Sequence, residues 1–154
     1  MKDRSVTHAT FVIARSYPTP PQRVFAAFSD PAKKRCWFAG DKEFQSEEFE
    51  MDFRVGGRER SSFRAQGVTC TNETIYLDIV PHRRMVMAHT MALGDQRISS
   101  SHATTEFLPT ERGTDLIFTE QGAFFEGADG PKIREQGWRT LLDSLATELA
   151  RSRE

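Results

Sequence analysis

Residues 48–57 read Glu48-Phe49-Glu50-Met51-Asp52-Phe53-Arg54-Val55-Gly56-Gly57. Phe49, Met51, Phe53 and Val55 alternate with Glu48, Glu50, Asp52 and Arg54. A strand sends successive side chains to opposite faces, so this stretch has one dry face and one wet face. Gly56-Gly57 offers the positive φ angles that a tight hairpin needs. A half-wet strand that ends in a hairpin belongs to an antiparallel sheet.

Similar patterns continue toward the C-terminus. Arg58 to Gln66 reads as a polar return strand carrying Phe63. Thr71 to Val80 alternates Ile75, Leu77 and Ile79 against Thr74, Tyr76 and Asp78. After a turn at Pro81-His82, Arg84 to Met91 puts Met85, Met87, His89 and Met91 on one face. Ile98 to Leu108 and Thr114 to Gln121 follow, joined around Pro109 to Gly113. After Gly122, Ala123 to Gly130 reads as a loop holding Phe124 and Phe125, and the glycines at 122, 127 and 130 mark it as a candidate lid. Pro131 then opens a helix in which Trp138, Leu141, Leu142, Leu145 and Leu149 form one amphipathic stripe.

Toward the N-terminus, Ala9 to Tyr17 reads as a strand. Thr19-Pro20-Pro21-Gln22 has the form of a capping box, with Val24, Phe25 and Phe28 as the buried stripe of a short helix. Ser29-Asp30-Pro31 restarts a second short helix. It turns Lys33, Lys34 and Arg35 outward and ends near Trp37, Phe38 and Gly40. The fold class expected is α+β: a seven-stranded curved antiparallel sheet wraps a long C-terminal helix, with two short helices between strands 1 and 2. Such a sheet is wider than one helix can fill, which predicts an apolar hollow between them.

Composition narrows the function. The 154 residues suit one domain. With 21 basic and 22 acidic residues the net charge is -1, which leaves no basic excess for phosphate backbones and argues against nucleic acid. Twelve phenylalanines, with 2 Trp and 5 Met, can fill a core and line a cavity besides. Cys36 and Cys70 form no CxxC and have no histidine at zinc spacing, so no metal is expected. No other cofactor is implied. The opening Met1 to Thr10 lacks an apolar run and no stretch is long enough to cross a bilayer, which predicts a cytoplasmic protein without membrane insertion.

The order of these pieces resembles the START-like, or SRPBCC, superfamily with its helix-grip fold. Within it the chain is most similar to the branch named after the C-terminal domain of the activator of Hsp90 ATPase. The resemblance rests on Pro21 to Phe28 with Ser29-Asp30-Pro31, on Trp37, and on Asp52-Phe53-Arg54-Val55-Gly56-Gly57. It continues through Pro81 with Arg84-Met85-Val86, Glu106-Phe107 before Gly113-Thr114, and Gly137-Trp138 ahead of Leu142 and Leu145. It spans about Phe11 to Leu149. Relatives often carry Gly entering the fourth strand, where this chain has Asn72 to Thr74. The resemblance implies binding of a hydrophobic or aromatic small molecule between sheet and helix. Cyclases and hydrolases also occur in the superfamily.

Candidate walls for such a pocket are Phe49, Met51, Phe53, Phe63 and Met87 from the strands, with Leu116 and Phe118. Trp138, Leu142 and Leu145 face them from the helix. Trp37, Phe38, Phe124 and Phe125 lie on segments flanking the mouth. Met and Phe suit a tolerant wall. Each could equally be plain core.

His89 is the candidate for chemistry, because it shares strand parity with Met85, Met87 and Met91. An imidazole in an apolar cavity could bind a ligand hydroxyl or act as a general base. It could also be a core histidine satisfied by a neighbour, or an outward residue. A two-residue loop at Gly94-Asp95 would pair His89 with Ser100 and bring His102 to the same face. A four-residue loop, Pro109 to Arg112, pairs Thr105 with Leu116 and Ala103 with Phe118 instead, and turns His102 outward. One extra residue at the first turn, or a bulge, reconciles the two, placing Met87 opposite Ala103 and His89 opposite Ser101. Glu48, Glu50, Asp52 and Glu120 read as solvated carboxylates. Three functions stay open: a binding module for an apolar or aromatic molecule, a cyclase- or hydrolase-like enzyme using His89, and a co-chaperone-like protein binder. A homodimer through an edge strand or the outer helix face could accompany any of them.

Overall fold

The computed structural model describes residues 5–38, 45–65, 67–125 and 130–151. Its strands are β1 (Val6–Tyr17), β2 (Gln45–Met51), β3 (Arg58–Ala65), β4 (Val68–Val80), β5 (Arg84–Leu93), β6 (Gln96–Pro109) and β7 (Thr114–Phe125). Helices α1 (Pro21–Ser29) and α2 (Pro31–Phe38) lie between β1 and β2, and α3 (Pro131–Arg151) follows β7. The sheet order is β1-β7-β6-β5-β4-β3-β2, antiparallel at every pairing. This is the expected helix-grip architecture, a curved sheet of seven strands with a long C-terminal helix.

α3 lies against the concave face. Trp138, Leu142, Leu145 and Leu149 are buried there with Phe11, Ile13, Leu116, Phe118 and Met87 in one core cluster. Each fully buried side chain of this size contributes about 1.5–3 kcal/mol. The Tyr17 hydroxyl donates to the Leu142 carbonyl at 2.8 Å and pins helix to sheet. Burial pushes the Tyr17 phenol well above its usual range.

Local details depart from the sequence expectations. α1 has Pro20 as its N-cap with no side-chain bond. Thr19 is buried instead, and its carbonyl accepts from Thr114 Oγ1 at 2.6 Å. Strand β2 stops at Met51, and the following residues form a turn tied to β4 through Gly56 N to the Tyr76 carbonyl, 2.7 Å. Only Gly56 of the glycine pair has positive φ, 83°. Gly57 is required by space, since a Cβ there would lie 2.1 Å from the Asp52 carbonyl oxygen. Val55 is exposed, while Phe53 packs edge-on against Phe25 and Tyr76.

On β4 the faces are reversed from the apolar pattern. Tyr76 and Thr74 are buried, and Ile75 and Leu77 are exposed. An irregularity between Tyr76 and Asp78 then brings Ile79 round to pack on the core. The β6–β7 loop closes with Pro109 opposite Thr114, so Thr105 faces Phe118 and Ala103 faces Glu120. Each partner sits two residues further along than expected, which preserves which residues point inward. The irregularity predicted near Gly94 is a bulge at Ile98 of β6, opposite the step from Met91 to Ala92. Met87 faces Ala103, His89 faces Ser101, and His102 is exposed. Phe124 and Phe125 belong to β7, paired with Thr7 and Val6, so that part of the expected lid is sheet. Gly40 and Gly127 lie outside the described residues.

Candidate functional site

Four inward residues stand in line across the concave face: Glu59 on β3, Thr74 on β4, His89 on β5 and Ser101 on β6. Strand alternation aims them toward the helix side, and all four are more than nine-tenths buried. Charge gathers at both ends of this row. At one end Lys34 Nζ on α2 lies 2.6 Å from Glu59 Oε1, and the Tyr76 hydroxyl donates to the same oxygen. Burial, and then the Glu59 charge, push the Tyr76 phenol far above its usual range, so it stays a donor.

At the other end Glu120 of β7 is fully buried and accepts three hydrogen bonds. Ser101 Oγ and Arg134 Nη1 each lie 3.0 Å away, and His89 Nε2 lies at 3.3 Å. Arg134 Nη2 also donates to Ser99 Oγ at 2.6 Å, and the guanidinium sits over the Phe124 ring. Burial alone would raise the Glu120 carboxyl. The hydrogen bond and charge of His89, then the Arg134 charge and the Ser101 bond, outweigh it and hold the carboxyl below its ordinary range.

Two expectations are therefore corrected. Lys34 does not join Lys33 and Arg35 on a wet surface, because its helix places it one turn before buried Trp37, over Glu59. Glu120 is not a solvated carboxylate; it continues the inward parity of Leu116 and Phe118.

Beside this row runs a second, of Phe49, Ser61, Asn72, Met91 and Ser99 in pairing order. Two residues along a strand separate the rows, about 7 Å. Phe49, Asn72 and Met91 are half-buried although they point inward, as are Phe63 and Met51 on the same face. Phe38 joins them from α2, its ring 6.5 Å from Phe49 and 6.0 Å from Trp138. The concave face is thus left partly uncovered at this end.

The predicted walls divide accordingly. Phe38, Phe49, Met51 and Phe63 gather at the uncovered end, with His89 on the adjoining row. Met87, Leu116, Phe118, Trp138, Leu142 and Leu145 are packed core, with the Phe118 and Trp138 rings 4.2 Å apart. Trp37 is also core, its indole N–H donating to the Ala27 carbonyl at 2.9 Å. Phe53 lies apart, against Phe25, and Phe124 is buried under Arg134. The hollow expected beneath the middle of α3 is filled at these positions. Two cavities open elsewhere. One of about 420 Å³ lies on the outer sheet face around His8, Thr10, His102 and Gln121. One of about 520 Å³ lies beside α1 around Pro21, His82, Arg83 and Phe107. None of the predicted wall residues lines either.

Sequence reasoning missed Lys34, Glu59, Thr74, Glu120 and Arg134. The signal was there for several. Arg134 stands one turn before Trp138 on the buried stripe of α3, and Glu59 shares parity with Phe63.

A family model described as activator of Hsp90 ATPase homolog 1-like protein matches residues 18–150. The chain belongs to this family. No curated protein matches it. Among solved structures, a putative uncharacterized protein from Rhizobium leguminosarum is 41% identical, with a TM-score of 0.92, over 97% of this chain and 99% of that one. The Mll3558 protein from Rhizobium loti is 46% identical, with a TM-score of 0.87, over 94% and 99%. The AHSA1-like protein from Aeromonas hydrophila, 17% identical over 94% of each chain with a TM-score of 0.71, shares the fold. Among the described residues no helix is long and apolar enough to cross a membrane.

Proposed function

We propose that this member of the activator of Hsp90 ATPase homolog 1-like family binds a small apolar or aromatic molecule on the concave face of its sheet, in the cytoplasm. The observation that carries this reading is the row of inward-facing Phe49, Asn72 and Met91, half-buried beside fully buried Thr74 and His89. Apolar side chains that point inward yet stay partly open to solvent form a surface a guest can cover. The nearby polar groups would fix its orientation, the usual division of labour in a ligand site. The superfamily resemblance points the same way, although fold by itself does not assign function.

A thermal-shift and native mass-spectrometry screen against aromatic and lipid libraries tests this. Binders should raise the melting temperature, and Phe49→Ala or Phe63→Ala should weaken them about tenfold or more. A complete absence of binders, or binders indifferent to both substitutions, would remove the reading. The His89–Glu120 contact favours a second reading, an enzyme in which His89 is a base oriented by a carboxylate. In that case His89→Gln keeps binding and abolishes turnover of the bound molecule. Unchanged turnover would end it.

A further inference from the structure

The sheet ends in two edge strands, β1 and β2. A free edge presents a row of unpaired N–H and C=O groups, which invites another strand. β2 is defended. It has only seven residues, three of them Glu, and a bulge between Ser46 and Glu48 interrupts its ladder. β1 carries none of these devices. It is 12 residues long and pairs with β7 in one unbroken register from Val6 to Tyr17. From Val6 to Ala14 it contains no Pro, Asp, Glu, Lys or Arg. Among the described residues no backbone hydrogen bond from outside the sheet reaches it.

We infer that the free edge of β1 pairs with β1 of a second copy of this chain, antiparallel about a two-fold axis at Thr10. Only another extended strand matches this row of backbone groups, and an antiparallel edge is complementary to its own copy. The axis follows from the charge-free window, whose midpoint is Thr10. Thr10 then stands opposite Thr10 of the partner copy. Val12 faces the partner's His8, Ile13 its Thr7, and Phe11 its Ala9. Each pairing suits its face of the sheet. On the concave side Phe11 and Ile13 are already buried in their own core, and the partner brings only the smaller Thr7 and Ala9 alongside them. On the outer side Val12, 54% exposed, gains cover from the partner's His8. Arg15, which reaches Asp143 of α3, falls just beyond the window, so that ion pair is left in place. The shared edge runs for about 30 Å. It adds about nine ladder bonds, close to the roughly ten of a typical interface. A net charge of -1 sets up little repulsion between copies. The two seven-stranded sheets become one continuous sheet.

The test is analytical ultracentrifugation of the full chain across micromolar concentrations, which should show a dimer. Thr10 is exposed, so Thr10→Lys is compatible with the fold. It sets two like charges directly opposite each other and should raise the dissociation constant about fivefold or more. Leu77→Lys, at an exposed position on β4 away from the β1 edge, should leave the dimer unchanged. Circular dichroism checks that both variants fold. Cross-linking gives a second readout. Thr10→Cys in a Cys36→Ser background should be joined to its copy by a short bis-maleimide, and the Cys36→Ser chain alone should not, since its remaining Cys70 is buried. A strictly monomeric protein overturns the inference. So does a dimer that Thr10→Lys leaves intact, or one that Thr10→Cys fails to cross-link.

Discussion

Lys34 carries the sharpest residue-scale consequence of the structure. It is 2% exposed, and its ammonium is 2.6 Å from a Glu59 oxygen that is itself buried. Desolvating two charges costs much of what their attraction returns, so the pair is weak evidence for stability. Removing one partner is another matter, because it strands the other charge. Lys34→Ala should therefore cost about 3–5 kcal/mol in urea unfolding. Lys34→Met combined with Glu59→Gln should recover most of it. A single-mutant loss below about 1 kcal/mol would show that Glu59 finds other neutralisation. The contrast with Lys33 and Arg35 is instructive. Three adjacent cations are one pattern in sequence, yet helix geometry sends only the middle one inward.

At the scale of elements, the β2–β3 turn shows how a glycine pair divides its work. Gly56 takes the positive φ angle; Gly57 takes the close approach. The atom a Cβ at Gly57 would meet is a backbone oxygen, which cannot rotate away. Gly57→Ala should thus destabilise by more than the ~1–3 kcal/mol typical of overpacking, whereas an exposed substitution such as Val55→Thr should be nearly neutral. Denaturation midpoints for the two compare them directly, and equal midpoints would refute the steric account. The strands were legible from alternation wherever one face was mostly apolar, as on β5 with Met85 and Met87. Alternation misled on β4, because Tyr76 and Thr74 are polar residues satisfied or placed inside while Ile75 and Leu77 face out. The β6–β7 pairing was two residues off for a related reason. Parity fixes which face a residue takes, but the loop must be seen closed before the partner is known.

Across the whole molecule, the buried charges set the response to acid. The Glu120 carboxyl is held below its unfolded value, about 4.3 for a free Glu. A depressed folded value means that the unfolded chain binds the proton more readily. The contribution is present above that unfolded value and is lost as pH falls through the lower folded one. Urea midpoints measured from neutrality down to about pH 3 should fall for the native protein. Glu120→Gln should start lower, since it removes the negative charge facing Arg134 and His89, and then fall less steeply across the same window. Parallel curves would mean that Glu120 does not supply the acid sensitivity.

Sequence alone determined the family, the order of strands and helices, the stripe of α3 and the shared parity of His89 with Met85 and Met87. These follow from local periodicity and turn chemistry, which a chain carries in its neighbouring residues. Tertiary structure alone decided which inward side chains became solid core under α3 and which stayed half-open at Phe38, Phe49, Phe63 and Met91. It also decided that Lys34, Glu59, Glu120 and Arg134 meet inside. A polar residue on an apolar stripe can be buried only where a distant segment supplies its partner, and that partner becomes known once β3, β7, α2 and α3 are brought together.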